Sequence, residues 1–181
     1  MACTITSGIT ISCSDLKRVG GLNKRLWLFN IDDLATPIVA NASGYITNIP
    51  LTTYRTLYKI EGPKFAHSFE VNENRTDSGN VQWEHKLMIK IFNTDPTEDT
   101  TLENLTLGEF GAIVQTGNLD FLILGGQNGM TSTESKLKSG QKSGDDSTSE
   151  ITLTGSEQSV YKRLLRTDVN STLAYLNAMT V

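Results

Sequence analysis

The stretch from Val81 to Phe92 constrains the fold more than any other part of the sequence, because two sets of residues alternate along it without a break. One set is Val81, Trp83, His85, Leu87, Ile89 and Ile91, and the other is Gln82, Glu84, Lys86, Met88 and Lys90. Period-two alternation is typical of a half-buried strand. A polar turn over 75–80 precedes it, so the pattern predicts a hairpin arm over 65–92. Ten residues of strand reach about 33 Å, which is long for a chain of 181 residues.

Strand patterns also occur on both sides of this hairpin. They cover 4–13, 24–31, 54–60, a pair within 111–125, and 150–155. The centre of 24–31 is almost continuously apolar, which predicts a strand covered on both faces. Asp95 and Pro96 are suited to the cap and first position of a helix over 95–107. Residues 130–149 predict a long polar loop in which Leu137 is isolated, and 171–178 predict a short C-terminal helix.

This order of elements predicts a mainly β fold: an antiparallel β-barrel or two crossed sheets, with one flanking α-helix. We assign residues 1–160 to this domain and residues 161–181 to a C-terminal arm.

Composition narrows the function classes. The net charge is −4, so the basic excess of a dedicated nucleic-acid-binding protein is missing. No apolar run approaches the roughly 18 residues of a membrane-spanning helix, and the N-terminus carries no secretory pattern. We expect Cys3 and Cys13 to be reduced thiols of a protein made in the cytosol.

Motifs of catalysis and metal binding are missing from the sequence. The two histidines, His67 and His85, lack the close spacing of a zinc site, and we expect them to be exposed or on strand faces. No Gly-x-Ser-x-Gly occurs. The run 125–129, Gly-Gly-Gln-Asn-Gly, resembles a phosphate loop but lacks the following Lys and Ser or Thr, so it predicts a turn. The sequence therefore predicts a protein that is not an enzyme and uses no cofactor or metal.

Charge is unevenly distributed along the chain. Acidic residues follow the hairpin and the predicted helix, whereas lysines and arginines concentrate near 17–25, 136–142 and 162–166. A mixed, solvated surface would explain this pattern. The alternative is a self-complementary surface, on which an acidic patch of one copy meets a basic segment of the next and builds rings or filaments.

The order of motifs resembles one family. Several segments, taken in order, are similar to parts of tail tube proteins of tailed bacteriophages. They are the start of the chain, then Val19-Gly20-Gly21 with the strand Arg25-Leu-Trp-Leu-Phe-Asn, the hairpin around Gln82-Trp83-Glu84-His85, the segment Leu122-Ile-Leu-Gly-Gly-Gln-Asn-Gly129, and Ile151-Thr-Leu-Thr-Gly155. These proteins share a fold with secretion-system tube proteins. The resemblance covers roughly residues 1–160; the stretch after Val160 does not match the family.

The resemblance implies a virion protein, made in the bacterial cytoplasm, that forms stacked six-membered rings. The rings would enclose a channel through which genomic DNA passes without specific binding, and other tail proteins would be further partners. We expect carboxylates of the hairpin's polar face to line the channel: Glu70, Glu73 and Glu84. We expect the hairpin tip and the polar loop to reach adjacent subunits through Asn74, Asp77, Gly79, Lys136, Lys138 and Lys142.

Two other functions remain open. One is a connector or terminator protein of related fold that forms a single ring at the tail. The other is a monomeric β-rich binding module. Its candidate contact residues would be Tyr45, Tyr54, Tyr58 and Trp83, although their strand positions favour a core.

Overall fold

The computed structural model describes residues 20–63, 65–76, 79–92, 96–138 and 148–180, and the side chains of 96–98 are outside this description. The predictions for 4–13, Cys3, Cys13, Asp77, Asp95 and Lys142 therefore lie outside the described residues.

The strands are β1 Leu22–Asn30, β2 Tyr45–Ile46, β3 Tyr58–Glu61, β4 Ser68–Arg75, β5 Val81–Phe92, β6 Phe110–Thr116, β7 Phe121–Leu124, β8 Thr131–Lys138, β9 Thr148–Glu157 and β10 Lys162–Leu164. The helices are α1 Pro96–Leu107 and α2 Val169–Ala178, and Ile31–Asp33 form a single 3-10 turn.

The strands form two sheets. The six-stranded sheet has the order β2-β10-β7-β6-β1-β3, and the four-stranded sheet has the order β4-β5-β9-β8. All pairings between the named strands are antiparallel except that between β10 and β2. The mainly β class is thus confirmed. Two packed sheets are present, and the described strands do not close into a barrel.

One core fills the space between the two sheets. Leu26 and Leu28 of β1 meet Leu87 and Ile89 of β5 there, and α1 adds Leu105. A second core lies on the far face of the six-stranded sheet, where Trp27 and Phe29 pack with α2 and the loops that follow β1. Strand β1 is therefore buried on both faces, as its continuous apolar run predicts.

The predicted hairpin and helix are both present. Strands β4 and β5 pair from Ser68 with Met88 to Arg75 with Val81, and α1 covers nearly the predicted range.

Two predicted boundaries are wrong. Residues 131–138 are not loop but strand β8, which pairs with β9 from Thr131 to Lys138; the remainder of the predicted loop, 139–147, is outside the described residues. Residues 161–181 are not a separate arm either. Strand β10 lies between β7 and β2, and Leu164 and Leu176 are fully buried. The C-terminal segment therefore belongs to the same domain as the residues before it.

Candidate assembly surface

One face of the four-stranded sheet packs on the core and the other is polar. Register and alternation place the following residues on the polar face: Glu70, Asn72 and Asn74 of β4; Gln82, Glu84, Lys86, Met88 and Lys90 of β5; Glu150, Thr152, Thr154 and Ser156 of β9; Glu134, Lys136 and Lys138 of β8. Two apolar side chains share this face, Met88 and Phe92 at the end of β5, and Lys90 Nζ lies 5.3 Å from the centroid of the Phe92 ring. The other side chains are polar, so this face is suited to contact with water or with a polar partner.

The polar face carries as many positive as negative charges. Its four carboxylates are Glu70, Glu84, Glu134 and Glu150, and its four ammonium groups are Lys86, Lys90, Lys136 and Lys138. An acidic wall, which we predicted from the hairpin alone, is therefore not what the whole sheet presents. The sequence alone does not predict this balance of charge, because nothing in it places β8 beside β9. Strand β8 supplies two of the four lysines.

Several of these charges are paired within the chain. The Glu150 carboxylate lies 2.9 Å from Nζ of Lys138 and 3.3 Å from Nζ of Lys90. Hydrogen bonding to Lys138, and secondarily to Lys90, holds the pKa of Glu150 below its usual value. Lys136 Nζ lies 2.6 Å from Glu134, and this hydrogen bond raises the pKa of Lys136. Three of the four cations of this face, Lys90, Lys136 and Lys138, thus already have carboxylate partners.

Both edges of this sheet are open in the part of the chain that the structure describes. Strand β4 pairs only with β5, and strand β8 pairs only with β9. Each open edge is eight residues long. An unpaired edge exposes a row of N–H and C=O groups that can pair with another strand. A bulge at Thr133, where the register with β9 shifts, interrupts the β8 edge near its start.

The predicted channel carboxylates do not share one face. Glu70 and Glu84 are exposed on the polar face, but Glu73 pairs with Trp83 on the opposite face and forms a 2.9 Å ion pair with Arg75. The prediction that all three line one wall is therefore wrong for Glu73. Side chains alternate along a strand, so a residue at an odd position of β4 cannot share the face of Glu70.

The predicted intersubunit residues fall at two ends of the sheet. Asn74 and Gly79 are exposed at the far end of the β4–β5 hairpin, and Gly79 has φ +84° in its turn. Lys136 and Lys138 belong to the open edge strand β8 instead of a loop.

Both histidines are buried: His85 lies on a strand face, that of β5, as expected, whereas His67 directly precedes β4 and is neither exposed nor on a strand. His85 accepts a hydrogen bond at Nδ1 from the Gly125 N–H at 3.1 Å, and its Nε2 lies 2.9 Å from the Ser159 carbonyl. His67 accepts at Nδ1 from the Lys90 N–H at 3.2 Å. Burial lowers the pKa of His67 to about 4. Both rings therefore connect loops to the sheet.

Glu157 is a buried carboxylate whose role we did not predict from the sequence. It is 2% exposed at the end of β9, and one of its oxygens accepts hydrogen bonds from the N–H groups of Gln127 and Asn128, both at 3.0 Å. The run 125–129 is thus a turn, as predicted. Its amides bind the chain's own carboxylate, which is the contact that a phosphate would otherwise make.

The aromatic candidates for a binding module are scattered. Tyr54 is 98% exposed in a turn at φ +67°, and Tyr58 is 46% exposed at the edge strand β3. Tyr45 lies in β2, at the opposite edge of that sheet, and Trp83 lies in the other sheet. The expectation that these residues form a core is therefore wrong. Only Tyr58 borders the apolar groove between β3 and α1, beside Leu105 and Leu107.

Within the described ranges, no three His, Cys, Asp or Glu side chains are grouped so that they could hold a metal ion. None of the described helices combines the length and the apolar character needed to cross a bilayer.

Comparison with protein families, with curated proteins and with solved structures finds no match to this chain.

Proposed function

We propose that this protein is a self-assembling ring subunit whose four-stranded sheets join edge to edge around a channel. A single observation carries the proposal: within the described residues the sheet β4-β5-β9-β8 has two open edges of equal length and one mainly polar face. Pairing the β8 edge of one copy with the β4 edge of the next satisfies the backbone groups of both edges. The contact is heterologous, and repeating it about a rotation that closes builds a ring.

Strand direction supports this contact. The four strands alternate in direction, because each described pairing in the sheet is antiparallel. Strands β4 and β8 therefore run in opposite directions. A copy rotated about an axis roughly along the strands keeps its directions, so its β4 would meet β8 of the first copy antiparallel. The sheet could then continue from copy to copy without a change of pairing type.

The dimensions suit a wide channel. Six copies, the number that the family resemblance implies, would contribute about 24 strands, and a spacing of about 4.8 Å gives a circumference of about 115 Å before strand tilt. Tilt widens the ring further. Such a ring is too wide for its own side chains to fill, and a DNA duplex could pass through it.

The polar face suits the wall of such a channel. DNA is held chiefly by Lys and Arg contacts to phosphates. On this face Lys90, Lys136 and Lys138 have carboxylate partners within 3.3 Å. A charge-balanced wall in which three of the four cations are paired would neither grip nor strongly repel DNA. This replaces the acidic wall as the physical reason for free passage.

Together with the resemblance in motif order, these features favour a tail tube subunit of a tailed bacteriophage. Rings would stack into a tube in the virion, with further tail proteins at its ends and genomic DNA passing through. A connector ring of related fold is the second candidate, and the same open edges favour it equally. The scattered aromatic residues weigh against a monomeric binding module.

Self-assembly of the isolated chain tests the proposal. The full chain is expressed alone, its mass is followed by light scattering on a sizing column as concentration rises, and fractions are viewed by negative stain. We expect rings or tubes with a central hole. Stacked tubes would favour the tube subunit, and single rings would favour the connector. A monomer at every concentration, even when purified tail components are added as a template, would overturn the proposal.

A further inference from the structure

The two open edges also differ in ways that select one register between copies. Antiparallel pairing must bring the polar face of β4 beside the polar face of β8, and the core-side face beside the core-side face, because a one-residue slip would expose the apolar side. Even-numbered residues lie on the polar face of both strands between Glu134 and Lys138 and between Ser68 and Asn72. Allowed registers therefore differ by steps of two residues.

Charge excludes one of the three central registers. If Glu70 stood opposite Glu134, two carboxylates would face each other, and like charges directly opposite destabilise a sheet. The other two registers place Glu70 opposite Lys136 or opposite Lys138.

Existing ion pairs separate the remaining two registers. Lys138 bonds to Glu150, whose side chain is only 18% exposed. Lys136 pairs with Glu134 on its own strand, where both side chains are more than half exposed, so Lys136 can take a second carboxylate at little cost. The register with Glu70 opposite Lys136 also places Ser68, the first residue of β4, opposite Lys138, the last residue of β8.

The core-side face supports the same register. Leu137 is 77% exposed on this face of β8, beside Leu102 of α1. In the selected register it stands opposite Phe69 of the next copy, and Ser135 stands opposite Val71. Phe69 and Val71 already pack partly against the core between the sheets. The neighbour would thus cover the largest exposed apolar side chain at this edge and extend the core across the contact.

We propose that a second copy of this chain docks its β4 edge on β8 in the register that places Glu70 opposite Lys136 and Phe69 opposite Leu137. This inference rests on the proposed function and specifies its intersubunit contact. The occupant is a second copy because the two edges agree in strand direction, in charge and in the position of their apolar residues.

Charge reversal tests the pair. Glu70→Lys and Lys136→Glu each replace an attraction by a repulsion and should raise the concentration for half-assembly by about fivefold or more, and the double variant should restore it. Glu84→Lys is the matched control, because Glu84 lies on the same face but on the interior strand β5. Assembly should be unchanged in this control. Equal effects of Glu70→Lys and Glu84→Lys, or no rescue in the double variant, would overturn the pairing.

Disulfide crosslinking distinguishes a wrong register from a failed assembly. In a Cys3→Ser/Cys13→Ser background, a Glu70→Cys chain is mixed with a Lys136→Cys chain or with a Lys138→Cys chain and mildly oxidised. We expect linked dimers mainly from the Lys136→Cys mixture. Preferential linking through Lys138→Cys would overturn the register and leave the ring intact. Rings that link through neither site would overturn docking between these edges, whereas the absence of any rings would count against the proposed function itself.

Discussion

At the scale of single residues, buried polar groups show what connects the loops to the sheets. His67 is 1% exposed, and its Nδ1 accepts from the Lys90 N–H, so the neutral ring carries its proton on Nε2. That Nε2 is buried and has no hydrogen-bond partner among the described residues. A second proton would charge a ring that is surrounded by protein, and burial therefore lowers the pKa of His67 to about 4 from the ordinary 6.5.

This shift makes acid stability depend on His67. The unfolded chain binds the proton near pH 6.5 and the folded chain only near pH 4, so the stabilisation is complete above pH 6.5 and is lost as the pH falls from 6.5 to 4. The loss should amount to about 3 kcal/mol of unfolding free energy. Urea unfolding of the wild type and of His67→Gln, which keeps a hydrogen-bonding side chain but does not titrate, should give curves of unfolding free energy against pH whose difference changes by about 3 kcal/mol between pH 6.5 and 4. Parallel curves would show that His67 does not titrate in this range.

At the scale of secondary-structure elements, the predictable parts are those with strong periodicity. The alternation over 81–92 identifies β5, and the apolar centre of 24–31 identifies a strand buried on both faces. Strand β8 was missed because it is polar on both faces at an open edge, and only Leu137 interrupts its Ser, Thr, Lys and Glu residues. Strand β10 has three residues, too few for any period to appear.

The assembly surface was less predictable than the elements. Glu70 and Glu84 could be assigned to one face from alternation in the hairpin. The balance of charge on that face depends on β8 lying beside β9, which no local pattern encodes. Glu157 was missed for a similar reason, because its partners are backbone amides some 30 positions away in the chain.

Gly155 allows β9 to pass the turn before β8 at close range. A Cβ at this position would lie only 2.1 Å from the Gly129 carbonyl oxygen, which is backbone and cannot rotate away. We expect Gly155→Ala to lower the unfolding free energy by about 3 kcal/mol, the upper part of the range for overpacked sites. Gly20→Ala is the control, because no atom of the described residues lies within 4 Å of a Cβ there. Urea unfolding measures both variants; equal stabilities would contradict the close approach.

At the scale of the whole molecule, the C-terminal segment completes the six-stranded sheet and the second core. Leu176 of α2 is fully buried in that core, whereas its neighbour Asn177 is exposed. Leu176→Ala should cost about 2–5 kcal/mol, and Asn177→Ala should change the unfolding free energy by less than about 0.5 kcal/mol. Thermal unfolding followed by circular dichroism measures the difference. Equal effects of the two substitutions would restore the view of 161–181 as a separate arm.

Charge pairing across the polar face predicts how the whole assembly treats DNA. Glu134→Gln/Glu150→Gln removes the carboxylate partners of Lys90 and Lys138, and one of the two that the assembly gives Lys136, so Lys90 and Lys138 at least should be free for phosphates. Fluorescence anisotropy should then detect DNA binding at low salt that weakens steeply as salt is added, because phosphate contacts release counterions. Glu103→Gln/Glu109→Gln changes the net charge equally at exposed positions outside the sheet and should bind far less. Equal DNA affinity of the two double variants would mean that net charge, and not the paired lysines of this face, governs contact with DNA.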